Sequence, residues 1–256
     1  MRFISDFTFI IISLGIFGLL NNVYSDTIRI AVASNFVNPA RHIANKFRTT
    51  TGHNVIISIG STGKLYAQIK NGAPYALFLA ADSTTPKKLV QEGYGVAKTR
   101  FTYAIGKLVL WSNNSKFTVL KSSILRGSYG TLAIANPKLA PYGLAAKETL
   151  IRLGLWNRVQ KHLVMGENIG QTMQFAYTGN ADLAFVAYSQ TINRYGHTLP
   201  GTIWQVPQRF YRPIRQDAIL VKSHQQNNQT ALAFLQFLKS SQAITIITQY
   251  GYAIPL

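Results

Sequence analysis

Early in the chain one pattern comes three times: a short apolar run, a small polar turn, then apolar residues at helical spacing. Residues 28–33 form a mostly apolar run of the kind buried in a parallel sheet, and it ends at Ser34-Asn35. Asn38-Pro39 then predicts an N-cap with proline at the first helical position, and Ile43 and Phe47 keep the helical spacing up to Thr50. The second copy is a strand over 54–59, the turn Gly60-Ser61-Thr62-Gly63 and a helix over 64–70. The third is an apolar run over 76–82, with Thr85-Pro86 as cap and first residue of a helix that ends near Gly93. Such strand-to-helix turns gather on one edge of a right-handed parallel sheet, the edge where open α/β folds bind ligands.

From Phe101 the pattern changes. Residues 101–104 and 107–111 read as aromatic strands on either side of Gly106, and they mark a crossover into a second α/β lobe. That lobe is expected to hold a strand at 132–135, a turn from Asn136-Pro137 to Pro141-Tyr142-Gly143 and a helix over 144–153. A turn at 166–170 leads into a helix through Tyr177, and further strands lie at 183–187 and 203–206. Residues 215–221 read as the return strand, and helices over 230–239 and 242–250 close the chain. The expected organisation is a discontinuous first lobe, residues 26–103 plus 213–256, and a second lobe, residues 104–212. Each is a mainly parallel sheet flanked by helices, and two crossover strands form the hinge. Ligands favour the cleft between two such lobes.

Residues 1–25 stand apart from this pattern. Arg2, an apolar run over 7–20 and the tolerated cleavage residues Val23-Tyr24-Ser25 read as a secretory signal peptide. The run is shorter than the ~20 residues needed to cross a bilayer and is followed at once by Asn21-Asn22. Export of a chain with no cysteine excludes a disulfide scaffold, a thiolate metal site and a cysteine nucleophile. Removing the signal takes away one base, Arg2, and one acid, Asp6, so the net charge stays at +18. That charge favours anionic ligands or acidic partners at long range. Nucleic acid is not the expected partner, because Lys and Arg are scattered singly or in pairs such as Lys87-Lys88, with no basic run. The remaining acids, Asp26, Asp82, Glu92, Glu148, Glu167, Asp182 and Asp217, lie too far apart for a hard-cation loop. His42, His53, His162, His197 and His224 show no ligand spacing, and Trp111, Trp156 and Trp204 read as core or hinge packing.

Candidate chemistry is concentrated at residues 59–69. Glycines on both sides of Ser61-Thr62 let the backbone turn tightly while two hydroxyls and several amides face one point, with Leu65 and Ile69 starting a helix behind them. A helix start offers unpaired N–H groups and a partial positive charge, so a dianion can be held there without a lysine. A phosphate loop is excluded: Ser58 replaces its first glycine and Leu65 its magnesium-binding hydroxyl. A serine-hydrolase elbow is excluded because serine directly follows Gly60. The competing structural roles are a turn without a ligand for this stretch and simple helix capping for Ser34 and Asn35. Lys64 is expected to face solvent, and Asp82 to hold a turn or cap.

Taken in order, Ala33-Ser34-Asn35-Phe36, Gly60-Ser61-Thr62-Gly63-Lys64-Leu65, Gly72-Ala73-Pro74, Ala80-Ala81-Asp82, residues 101–111, Ala135-Asn136-Pro137, Pro141-Tyr142-Gly143 and residues 182–187 resemble the periplasmic molybdate-binding proteins of ABC importers. The resemblance spans essentially the whole chain after the signal. It implies a type II periplasmic-binding-protein fold that closes over one molybdate or tungstate dianion and delivers it to a membrane permease. It also implies no catalysed reaction, no cofactor, no metal beyond the molybdenum of the anion, and a periplasmic monomer. By position, contacts are expected from Ser34, from Asn35, from Thr62 with Ser61 beside it as an alternative donor, from Tyr142, and from the main-chain N–H of Ile169. Where several relatives carry a ligand-binding tyrosine this chain has Ala187, so Tyr142 is expected to supply a hydroxyl instead. Ala76-Leu77 also lacks the aspartate common after that alanine.

The residue chemistry agrees with that expectation. A fully deprotonated oxyanion only accepts hydrogen bonds, so hydroxyls and amides without a carboxylate suit it, whereas phosphate at neutral pH carries a proton and calls for an acceptor. Neutral donors also allow fast release, since a direct Lys or Arg contact strengthens the bond and adds desolvation. Sulfate, phosphate or another small oxyanion is the alternative ligand, because cavity size and hydration decide among oxyanions. A secreted enzyme has no nucleophile, base and acid here to propose.

Overall fold

The computed structural model describes residues 25–222 and 228–255. The expected signal peptide, apart from Ser25, and His224 lie outside them. In chain order the elements are β1 (Thr27–Ala33), α1 (Val37–Thr51), β2 (Asn54–Gly60), α2 (Thr62–Lys70), β3 (Leu77–Leu79), α3 (Thr84–Gln91), β4 (Phe101–Gly106), β5 (Leu108–Ser112), α4 (Leu120–Arg126), β6 (Leu132–Ala135), α5 (Pro141–Arg152), α6 (Trp156–Val159), β7 (Leu163–Gly166), α7 (Ile169–Tyr177), β8 (Leu183–Ala187), β9 (Thr202–Gln205), β10 (Ile214–Leu220), α8 (Asn228–Phe237) and α9 (Ser241–Gln249). Among the described residues the strands form two five-stranded sheets, in the orders β2-β1-β3-β10-β4 and β7-β6-β8-β5-β9.

Strand alternation builds a core on both faces of each sheet. β1 lies between β2 and β3, parallel to both. It sends Ile28, Ile30 and Val32 to one face, where Ile43 and Phe47 of α1 and Phe234 of α8 cover them. Ala31 goes to the other face, against Leu65 and Ile69 of α2 and Leu89 of α3. The second sheet repeats the scheme. Leu108, Leu110 and Ile134 pack with Ala146 and Leu150 of α5, while Val109, Trp111 and Ala133 pack with Met173 and Ala176 of α7. A strand buried on both faces has no polar side to show, which is why these segments read as continuous apolar runs.

Both sheets are mixed. β10 runs antiparallel to β3 and β4, and β5 antiparallel to β8 and β9, whereas β6 is parallel to β7 and β8. The antiparallel halves contain the strands that cross: β4 ends the first sheet at Gly106, Lys107 bridges, β5 enters the second sheet, and β10 returns. A division after Tyr103 therefore falls inside β4.

Several helices begin earlier than their prolines suggest. A 3-10 turn at Ser34–Phe36 runs directly into α1, so Pro39 lies inside the first turn and Asn38 is not its cap. Pro86 likewise lies inside α3, and Pro141 and Tyr142, expected in a turn, are the opening residues of α5. The N–H that proline lacks has no intrahelical partner anywhere in a first turn, so proline marks that turn rather than its first residue. The short elements α4, α6 and β7 carry too few residues to show a period, and β7 lies at a sheet edge with its apolar residues only partly covered.

The register of β10 shifts between Gln216 and Asp217. Asp217 is buried there, ion-paired with Arg100 and accepting from Thr102 Oγ1 at 2.7 Å. Removing the cation leaves a buried carboxylate short of its partner, which destabilises by about 3 kcal/mol. Arg100→Ala is expected to lose that much in urea unfolding, and a loss under about 1 kcal/mol would show the pair behaving as an ordinary surface bridge.

Candidate anion-binding site

Four helix starts, two from each sheet's layers, open onto one small hollow. It is lined by Ala33, Ser34, Asn35, Gly60, Ser61, Thr62, Ala81, Ala140, Pro141, Tyr142 and Ile169. All six residues singled out in the sequence, Ser34, Asn35, Ser61, Thr62, Tyr142 and Ile169, thus border the same space. Ser34 and Asn35 form the turn that leads into α1, and Thr62 and Ile169 are the first residues of α2 and α7. Tyr142 follows Pro141 at the start of α5. No lining residue is charged, and none of the four helices has an acid in its first turn. The positive potential comes instead from the helix ends, each equivalent to roughly half an elementary charge. Even counting the part open to solvent, the space is about 180 Å³, below the roughly 300 Å³ at which pockets for organic ligands begin.

Local capping decides which donors remain. In α2 the Gly63 N–H donates to Leu139 O across the cleft at 2.9 Å, and the Lys64 N–H to Ser61 Oγ at 3.4 Å, which leaves the Thr62 N–H. In α7 the Gly170 N–H donates to Ser34 Oγ at 3.2 Å and the Gln171 N–H to Asn168 Oδ1 at 3.1 Å, which leaves that of Ile169. α5 has no side-chain cap, and Pro141 has no N–H to give, so Tyr142 supplies the first one. Thr62 Oγ1 accepts from the Ala81 N–H at 3.0 Å, and a hydroxyl that accepts on one side still has its own proton to donate on the other. Ser34 stands in the same position relative to Gly170. Ser61, the alternative donor, is engaged as the N-cap of α2.

The Tyr142 phenol, expected to reach a ligand, lies against the hinge instead. Its hydroxyl accepts from Gln216 Nε2 at 3.3 Å, and a Cβ at Gly106 would stand 2.0 Å from it, so the crossing strand carries glycine where the ring end presses on it. Lys64 does not stand free in solvent as expected: its Nζ meets Glu167 Oε1 across the cleft at 2.8 Å, with both side chains about half exposed. At Gly63 a Cβ would come within 3.2 Å of both the main chain and the Cδ2 of Leu139, so a side chain there would crowd the contact between the two backbones.

A buried polar cluster behind Asn35 has no counterpart in the sequence reading. Asn35 Nδ2 donates to Gln216 Oε1 at 2.8 Å and to the Tyr252 hydroxyl at 2.9 Å. The Asn35 carbonyl accepts from Ser189 Oγ at 3.1 Å and from Tyr252 at 2.9 Å. Burial pushes the Tyr103 and Tyr142 phenols well above their usual range and that of Tyr252 up to about 12, so all three stay neutral. The one trace in the sequence is the polar run Arg215-Gln216-Asp217 at the start of the return strand, ahead of its apolar residues. A wider hollow next to the first shares Ala81 and Pro141 with it but sets Asp82 and Glu148 beside Arg212 and Arg215, so its charges balance.

A mixed two-sheet architecture with a small, uncharged seat between its sheets defines a solute-binding protein. Residues 28–253 match the model of the bacterial extracellular solute-binding proteins, and the chain belongs to that family, whose members bind rather than transform their solute. It is 47% identical over 222 residues to the molybdate-binding protein ModA of Rhodobacter capsulatus, covering 87% of this chain and 86% of that one. To the protein of the same name from Azotobacter vinelandii it is 47% identical over 228 residues, covering 89% and 90%. Among solved structures, the periplasmic molybdate-binding protein of Azotobacter vinelandii superposes with a TM-score of 0.85 at 39% identity, over 90% of this chain and 100% of that one.

Asp82 ties the first turn of α3, its Oδ1 accepting from the Thr85 N–H at 2.7 Å and its Oδ2 from Thr85 Oγ1 at 3.0 Å. Burial is the largest influence on its carboxyl and raises its pKa. A raised carboxyl contributes stability at low pH that is lost as pH rises through the raised value, so at neutral pH the buried charge works against the fold. Asp82→Asn keeps the acceptor without the charge. It is expected to melt above wild type at pH 7, with the advantage vanishing towards pH 4; a lower melting temperature at pH 7 would refute this account.

Proposed function

We propose that the chain captures molybdate, or the congeneric tungstate, in the periplasm and hands it to the membrane permease of an ABC importer, acting as a monomer. The observation that carries this reading is the hollow at four helix starts, which meets an anion with hydroxyls and N–H groups and with no carboxylate. A proton-free dianion is satisfied by such a set, whereas a carboxylate at the same wall would repel it. The contacts we assign are the hydroxyls of Ser34 and Thr62, with Ser61 beside them, and the N–H groups of Asn35, Thr62, Tyr142 and Ile169. The molybdate-binding relatives support molybdate, and the signal-like residues 1–25 together with the periplasmic solved relative support the location. The net charge of +18 acts at a distance, raising the local anion concentration in a way that salt screens.

Sulfate is also tetrahedral and proton-free, and it satisfies the same donors, so discrimination against it rests on size. Titration calorimetry decides between them: micromolar or tighter molybdate binding with no measurable sulfate heat is expected, and the reverse overturns the reading. Thr62→Val removes a hydroxyl donor to a charged ligand and the acceptor of the Ala81 N–H. Hydrogen bonds to charged groups contribute about 1.5–3 kcal/mol, so molybdate affinity is expected to fall between about tenfold and a hundredfold. An unchanged affinity would remove Thr62 from the site.

A further inference from the structure

Asn35 borders the hollow, yet its Nδ2 turns to two groups that do not, Gln216 Oε1 and the Tyr252 hydroxyl. The other end of the amide, Oδ1, is buried without a hydrogen-bond partner. An orphaned acceptor at the wall of a seat for a proton-free dianion has the wrong polarity, since it sets oxygen against oxygen. Gln216 is also imperfectly matched. Its Oε1 lies 3.2 Å from the Tyr103 hydroxyl, whose single proton is also claimed by Ala80 O at 3.0 Å.

The oxygen and nitrogen ends of a primary amide are the same size. A half-turn of both Asn35 and Gln216 about their last side-chain bonds therefore keeps these distances and exchanges donors for acceptors. Asn35 Oδ1 then accepts from Gln216 Nε2 and from Tyr252, while Ser189 Oγ continues to serve the Asn35 carbonyl. Gln216 Oε1 accepts the Tyr142 proton, and Tyr103 accepts from Gln216 while giving its own proton to Ala80. Both amide oxygens are then paired, Tyr252 gives up its bond to the Asn35 carbonyl, which Ser189 keeps, no proton remains for the Ser189–Tyr252 contact, and the end of Asn35 left at the hollow is now an N–H donor. Asn35 cannot turn alone, because an unturned Gln216 would oppose two oxygens.

We propose that Gln216, which does not border the hollow, sets whether Asn35 shows the bound anion a donor or an acceptor, and so helps the site prefer a proton-free oxyanion to a protonated one. Gln216 is thus a positioning residue for specificity. The proposal rests on the oxyanion reading of the site, and failure of wild type to bind molybdate would end that reading before any variant is made.

The test compares molybdate with inorganic phosphate at pH 8, where both are dianions but only phosphate retains a proton. Gln216→Glu places an acceptor-only carboxylate at this position and locks Asn35 with Oδ1 toward the hollow. Calorimetry with molybdate, and competition by phosphate, should show molybdate weakened about tenfold or more and the molybdate-to-phosphate ratio falling below that of wild type. The added charge alone would weaken the two dianions equally, so an unchanged ratio overturns the proposal. So does unchanged molybdate affinity, or molybdate weakened while phosphate stays silent in both proteins. Should Gln216→Glu fail to fold, Gln216→Met removes the polarity without a charge. It should shift the same ratio in the same direction with the melting temperature largely kept, and a wild-type ratio again overturns the proposal.

Discussion

Holding a dianion away from water without a fixed counter-charge is the constraint to which the rest of this structure answers. Each oxygen must exchange water for N–H or O–H groups already aimed at it, and no single loop can aim donors from all sides. The chain meets this by opening helices at the ends of strands in two separate sheets, so that α1 and α2 face α5 and α7 across one hollow. The capping pattern completes the arrangement. Ser61 and Asn168 occupy the third N–H of their helices, the second bonds across the cleft, and the first is left without a protein partner among the described residues.

The same constraint explains why so much of the hinge is polar and buried. A strand pair crossing between two sheets would ordinarily be sealed with apolar side chains. Here Tyr103, Tyr142, Gln216 and Tyr252 converge behind Asn35, joined by Ser189 from the second sheet's side. Such a cluster is strong only when nearly every member is satisfied, and it ties the wall of the seat to the strands that cross between the two sheets. Asp217, next in the chain, is paired with Arg100 on the other side of the bulge, which holds the register where Gln216 needs it.

Much of this was readable from residue order. The apolar runs that became β1, β6 and β8 are buried on both faces, so their burial leaves a mark that needs no knowledge of the fold. The six candidate residues could be singled out because each sits where a strand gives way to a helix, a junction that small polar residues and glycine announce. What escaped was of two kinds. Side-chain direction did: the Tyr142 hydroxyl went to Gln216 and Lys64 to Glu167, because both destinations belong to segments distant in sequence. The hinge cluster escaped as well, since Ser189 and Tyr252 are single polar residues with no periodic neighbour, and only folding brings them to Asn35.

Where Gly63 meets Leu139, main chain bonds directly to main chain, and the Leu139 side chain packs equally close. A peptide has no rotamers, so this contact sets a firm lower limit on the distance between the two rims. On the function proposed above, the width left for an anion is then fixed at the rim by backbone, away from the groups that line the hollow.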